Sequence, residues 1–189
     1  MNMAQSGTLP LGSLVSSDTH TSLVEISIAD QQLRISSEGI CHLYEVSTAL
    51  NGVGEQEGSG CTPRGWHRVS ALIGCEQPEG AVFVGRRPTG EIYSAQLAAQ
   101  FPSRDWILSR ILWLQGLESG VNRFGRVDSM RRFIYIHGTP DTEPMGIPQS
   151  HGCVRMRNQD VIELAGRVSP GIRVWIQEAS FRRISCINL

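Results

Sequence analysis

A chain of 189 residues, 40% apolar and 19% charged, is long enough to bury a real core and has the make-up of an ordinary globular domain. Its 17 basic and 18 acidic residues leave a net charge of −1, so nothing in the charge balance argues for nucleic acid or an anionic membrane surface. All of the basic residues are arginine, which excludes Schiff-base and serine–lysine chemistry and makes every fixed cation a planar guanidinium suited to carboxylates and phosphates.

Residues 1–21 are polar and rich in glycine and serine, and are expected to form a loose arm. No basic region precedes Leu9, and Leu9-Pro10-Leu11-Gly12 is too short for a signal core. The expected location is therefore cytoplasmic, or periplasmic if the true start lies upstream. No stretch reaches the length of a membrane span. Residues 23–28 alternate from Val24 onward and 32–36 continue the alternation, which predicts a hairpin across Ala29-Asp30-Gln31. Residues 40–47 read as a third strand, the glycine-rich stretch 51–60 as a loop, and 66–73 as a strand.

The region 84–105 reads as an excursion edging the site, with a turn at 86–90 and a short helix at 94–100. Strands are predicted at 107–114 and at 132–137, the latter as a central strand because Phe133 to Ile136 are continuously apolar. One helix is clear: Asn158 is placed to cap it, Val161, Leu164, Ala165 and Val168 recur at helical spacing, and Pro170-Gly171 ends it. Residues 172–177 return as a strand. The pattern is a mainly β domain of packed or closed sheets, with a tail at 179–189.

The chemistry concentrates in Ser150-His151-Gly152-Cys153-Val154-Arg155 and in Ile136-His137-Gly138. A cysteine beside a glycine, with two histidines able to take its proton, is the arrangement of a thiol nucleophile, because the thiolate is the attacking form. The remaining cysteines, Cys41, Cys61, Cys75 and Cys186, are scattered without a C-x-x-C pair and are expected to stay reduced.

Ile136-His137-Gly138-Thr139 followed by Gly146-Ile147-Pro148-Gln149-Ser150-His151-Gly152-Cys153-Val154-Arg155 resembles the signature of the YkuD-type L,D-transpeptidase domain. Val46-Ser47-Thr48, Thr62-Pro63-Arg64-Gly65 and the closing segment from Gly171 to Ile176 are similar to further segments of that family. The resemblance covers about 23–177 and implies a YkuD-like catalytic domain over 22–178, with a mixed, mainly β fold. It also implies Cys153 as nucleophile and His137 as base, with murein tetrapeptides or their disaccharide-linked forms as substrates. β-Lactams of the carbapenem type are candidate covalent inhibitors. No cofactor or metal is implied.

On the residues themselves, His137 is expected to take the Cys153 proton and return one to the leaving amine, with the Gly138 carbonyl orienting the imidazole. The amides of Gly152 and Cys153 are expected to hold the oxyanion. Ser150 is expected to fix the turn, while His151 either contacts the substrate carbonyl or braces that turn. Arg155 reads as a clamp on a terminal carboxylate, against the alternative of a salt bridge. His67, Trp106 and Trp113 read as structural. His20 and His42 have no identifiable partner, and Arg64, Arg86 and Arg87 could meet acidic substrate groups but read as solvated.

Hydrolysis by an L,D-carboxypeptidase acting in peptidoglycan recycling is the favoured reaction, with transfer to an amine as the alternative. Two other classes compete: a zinc site built from His137, His151 and Cys153, and a non-catalytic binding module.

Overall fold

The computed structural model describes residues 22–37 and 39–181. The loose arm expected at 1–21, His20, Cys186 and most of the expected tail lie outside these residues. Among the described residues, ten strands and two α-helices follow one another. β1 (Leu23–Ser27) and β2 (Gln32–Ser37) form the expected antiparallel hairpin, and β3 (Ile40–Glu45) adds to it. β4 (Gly65–Ile73) pairs on one side with β10 (Arg173–Gln177) and on the other with β7 (Ile107–Gly116). β10 lies parallel to β1, so the end of the domain closes onto its beginning.

The ladder branches at β7. One edge carries β4 and then β5 (Ala81–Val84), which leads into β6 (Arg87–Ile92). The other edge carries β8 (Tyr135–Gly138), and β8 pairs in parallel with β9 (Val154–Met156). The branch suits the composition of β7: its first six residues include Leu108, Ile111 and Leu112, all fully buried because neighbours cover both faces.

The main core gathers β1, β2, β8, β9 and β10 around α2 (Asn158–Arg167). α2 presents Val161, Leu164 and Ala165 to this core and keeps its charged residues outside. α1 (Ala95–Gln100) is a single short helix capped by Ser94, whose hydroxyl accepts from the Leu97 N–H at 3.1 Å.

Three expectations need correction. The central strand begins at Tyr135 and not at Arg132, because Phe133 holds a left-handed φ of 58° that breaks the extended backbone ahead of it. The turn at 86–90 is shorter than expected: only Gly85 and Arg86 turn, and Pro88 to Gly90 belong to β6. Asn158 is the first residue of α2, not its cap. Its side chain faces inward, accepting from Ser109 Oγ at 2.6 Å and donating to the Thr139 carbonyl at 2.9 Å.

His67 is structural, as expected. It is fully buried, and both ring nitrogens are used by the protein. Nδ1 meets the Gly65 carbonyl at 3.0 Å, so it carries the proton, and Nε2 accepts from Ser129 Oγ at 2.9 Å. Burial depresses its pKa to about 4, so the folded protein holds it neutral while the unfolded chain protonates it near pH 6.5. Its contribution is complete above about pH 6.5 and is lost as the pH falls towards 4, a loss of up to about 3 kcal/mol. Urea denaturation of wild type and His67→Gln across pH 4–7.5 should show a gap that is widest at pH 7.5 and narrows on acidification. A gap independent of pH would contradict this account.

Candidate active site

The site is built on the alternation of β8 and β9. Ile134, Ile136, Val154 and Met156 point into the main core. Tyr135 and Cys153 belong to the opposite face, packed with Ala81, Phe83 and Ile111. The parallel register sets Ile136 beside Val154 and His137 beside Arg155. Cys153, one residue ahead of β9, thus stands diagonal to His137 on the same face.

The turn carrying Cys153 is braced from several directions. Ser150 Oγ donates to the Cys153 carbonyl at 2.5 Å and accepts from the Gly152 amide at 3.2 Å. Thr62 Oγ1 donates to the Gly152 carbonyl at 3.0 Å. Ser47 exchanges both backbone hydrogen bonds with Arg155, and the Thr48 carbonyl accepts from the amides of Gln149 and Ser150. This explains why the segments at 46–48 and 62–65 accompany the cysteine turn: they form its cradle. Gly152 adopts φ 134°, and a Cβ there would crowd the Cys61 carbonyl at 3.3 Å.

Cys153 Sγ lies 3.4 Å from both the Tyr135 amide, which donates to it, and the Phe133 carbonyl, to which it donates. Burial pushes the thiol pKa up to about 12, with only partial relief from the Tyr135 N–H. His137 is buried, and burial lowers its pKa. Its Nδ1 meets the Gly138 carbonyl at 2.8 Å and therefore carries the ring proton, which leaves Nε2 as the basic nitrogen. Unlike His67, His137 has no protein partner for Nε2 among the described residues. The resting pair is therefore a neutral thiol and a neutral imidazole, and the thiol is hydrogen-bonded to Phe133, not to the base.

Gly138 is fixed by close packing. A Cβ on it would lie 2.6 Å from Asn158 Oδ1 and 2.7 Å from the Leu108 carbonyl. The inward-facing Asn158, which Ser109 and Thr139 hold in place, thus packs against Gly138, whose carbonyl meets His137.

Other expected site residues stand differently. Arg155 is buried and takes the salt-bridge geometry: it meets Asp105 at 2.9 Å and Glu143 at 3.5 Å, so its charge is already paired. The Gly152 amide, expected at the oxyanion, is engaged by Ser150 Oγ. His151 braces nothing within the turn; its side chain is 79% exposed, with Nδ1 3.9 Å from Asp105. The zinc reading fails on geometry, since among the described residues no three His, Cys, Asp or Glu side chains converge to hold a metal. Asp105, Tyr135 and Phe133 were not foreseen. Asp105 is a lone acid in a loop and gives no sequence signal, whereas the apolar run concealed the outward face of Tyr135.

Comparisons with known proteins bear on the family and the fold. The model of the YkuD family, the L,D-transpeptidase catalytic domain, matches residues 21–176. The YkuD protein of Bacillus subtilis is 54% identical over 41 residues, which is 22% of this chain and 25% of that protein. L,D-transpeptidase 3 from Mycobacterium tuberculosis, solved with a faropenem-derived adduct, superposes with a TM-score of 0.51 at 17% identity, covering 84% of this chain and 60% of that one. An Enterococcus faecium L,D-transpeptidase superposes with a TM-score of 0.50 at 15% identity, covering 83% and 50%. The chain thus spans a quarter of its curated relative and 50–60% of these two solved chains. At these identities the solved structures establish the fold.

Two outcomes follow from the geometry. Alkylation of Cys153 by iodoacetamide, resolved by peptide mass spectrometry, should rise about tenfold per pH unit from pH 7 to 10, without a plateau at the ordinary thiol pKa of about 8.5. A plateau below pH 8 would mean a resting thiolate–imidazolium pair. Gly138→Ala should lower the melting temperature, because its Cβ meets atoms that the sheet and α2 hold in place.

Proposed function

The chain belongs to the YkuD family of L,D-transpeptidase catalytic domains, and on that premise we propose that it is a cysteine acyl-transfer enzyme acting on murein tetrapeptides. The proposed catalytic domain is 22–178. The observation that carries the reading is His137, a buried imidazole with Nδ1 fixed on the Gly138 carbonyl and Nε2 free, on the same strand face as Cys153.

In the proposed reaction Cys153 Sγ attacks the carbonyl at the L-centre of diaminopimelate while His137 Nε2 takes the thiol proton. Because the thiol is held neutral at rest, proton removal accompanies attack and no standing thiolate precedes it. The Cys153 amide is the proposed oxyanion donor; one such donor is worth about 3–4 kcal/mol in comparable sites. Collapse breaks the C–N bond, His137 returns the proton to the departing D-alanine amine, and a thioester remains on Cys153. Water, deprotonated by His137, then releases the tripeptide and restores the thiol.

Water is the acceptor we favour, because the turn carrying the nucleophile opens to solvent at His151. An L,D-carboxypeptidase of this kind would trim wall-derived tetrapeptides for reuse. Transfer to an amine of a second stem peptide, giving a 3-3 cross-link, is the second reading, and the family itself favours it. Arg155 is proposed to hold Asp105 beside the cysteine turn, and Ser150 to hold the turn itself. The faropenem-derived adduct of the Mycobacterium tuberculosis relative supports β-lactams as covalent ligands of Cys153.

Incubation with a disaccharide-tetrapeptide should release one D-alanine and leave tripeptide, as read by mass spectrometry. Cys153→Ala should abolish the release with the melting temperature unchanged. A cross-linked dimer would establish the transpeptidase instead, and turnover surviving in Cys153→Ala would overturn the mechanism. A carbapenem should add its mass to the wild-type protein and leave Cys153→Ala unmodified.

A further inference from the structure

Three guanidinium groups surround the thiol face, and they differ in what already holds them. Arg155 is neutralised by Asp105 and Glu143. Arg132 gives its hydrogen bonds to the carbonyls of Gly54, Glu55 and Cys61 and to Ser59 Oγ. Arg86 is different. Its guanidinium carbon lies 4.4 Å from the centre of the Trp113 ring and 4.9 Å from that of Phe133. One nitrogen, Nη1, donates to Tyr135 Oη at 3.0 Å. Among the described residues no carboxylate pairs with Arg86, whereas Arg34, Arg64, Arg104, Arg155 and Arg167 each have one.

The backbone beneath Arg86 is also unusual. Gly85 and Arg86 are the two central residues of the hairpin joining β5 to β6, with φ of 55° and 68°. Such a turn needs left-handed backbone at both positions and is commonly made by Asn-Gly. A residue with a Cβ is strained there relative to glycine, and that strain points to a use for the side chain. Contacts with two aromatic rings hold the guanidinium in place, and its hydrogen bond to Tyr135 uses Nη1, so further N–H groups remain for a carboxylate. Tyr135 links the two groups: its amide points at Cys153 Sγ and its hydroxyl holds Arg86.

We propose that Arg86 is the carboxylate anchor of the donor peptide, gripping a carboxylate of the tetrapeptide so that the scissile carbonyl is presented to Cys153. This inference rests on the reaction proposed above. It gives Arg86 the role that Arg155, already neutralised, does not fill. Two carboxylates of the donor share the required chemistry: that of the terminal D-alanine and that of the diaminopimelate side chain.

The test is steady-state kinetics of D-alanine release by wild type, Arg86→Asn, which the turn accepts, and Arg86→Lys. Three donors are compared: the free tetrapeptide, its C-terminal amide and its diaminopimelate side-chain amide. Arg86→Asn should raise KM for the free tetrapeptide roughly ten- to a hundredfold, the range expected for losing a charged hydrogen-bond pair, with kcat changed far less. Arg86→Lys should recover part of the loss. The amidated donor on which Arg86→Asn and wild type no longer differ identifies the bound carboxylate. An unchanged KM in Arg86→Asn, with wild type active, would overturn the anchor and leave the reaction standing. If wild type releases no D-alanine, the proposed reaction fails; calorimetric titration of Cys153→Ala, with and without Arg86→Asn, then decides the anchor. Equal binding of the free tetrapeptide by the two proteins would overturn it.

Discussion

Two very short strands, β8 and β9, carry the candidate chemistry, and their parallel pairing is the constraint on which the site depends. Alternation sends Ile136, Val154 and Met156 into the main core, and the same alternation sends Tyr135, His137 and Arg155 to the other face. A slip of one residue in β8 would move the imidazole into an apolar core and an isoleucine into the site, and one in β9 would carry Arg155 inward in exchange for an apolar side chain. Strands of three and four residues cannot resist such a slip alone. The resistance comes from outside: from β7, which pairs along β8, and from the backbone exchange between Ser47 and Arg155. The core and the site are thus two faces of one pairing, and the burial that stabilises the first fixes the second.

The two buried histidines show how one environment yields two roles. Both rings keep their proton on Nδ1 because a carbonyl faces that nitrogen, and burial lowers the pKa of both. The difference lies at Nε2. Ser129 occupies it in His67, which becomes part of the scaffold, while in His137 it is left without a protein partner. That nitrogen is not one of the buried polar atoms left unsatisfied, so it is open to a proton from a group that enters the site. The raised thiol pKa fits the same picture, since a site that keeps both partners neutral at rest does not bury an ion pair.

Much of this could be read from the sequence. The hairpin at the start, the strands at β4, β7 and β10, the helix after the cysteine, and the pairing of Cys153 with His137 on one scaffold all follow from alternation, helical spacing and the motif itself. What failed did so for identifiable reasons. The run from Phe133 to Ile136 is uniformly apolar, and periodicity cannot show where an apolar strand starts when a left-handed residue interrupts it. Asn158 has the chemistry of a cap, but its neighbours Ser109 and Thr139 lie far away in sequence and turn it inward. Arg155 and Arg86 are indistinguishable as sequence symbols. Only the fold sets one against two acids and the other against aromatic rings.

The distribution of backbone strain ties these points together. Five residues other than glycine hold a positive φ among the described residues, and three of them, Arg86, Ser109 and Phe133, border the site. Each has an identifiable effect. Ser109 accompanies the register shift between β7 and β8 and anchors Asn158. Phe133 turns its carbonyl towards the thiol and its ring towards Arg86. Arg86 closes the β5–β6 hairpin against Tyr135. Such conformations persist only where the surrounding structure over-determines them, and here two of them meet on one patch: Phe133 contacts both Cys153 and Arg86, and Tyr135, the residue after Ile134 in that same segment, does too. Two strained positions are thus tied to one thiol, Phe133 through the carbonyl to which Cys153 Sγ donates and Arg86 through the Phe133 ring and the Tyr135 hydroxyl, and those shared contacts are what over-determine them.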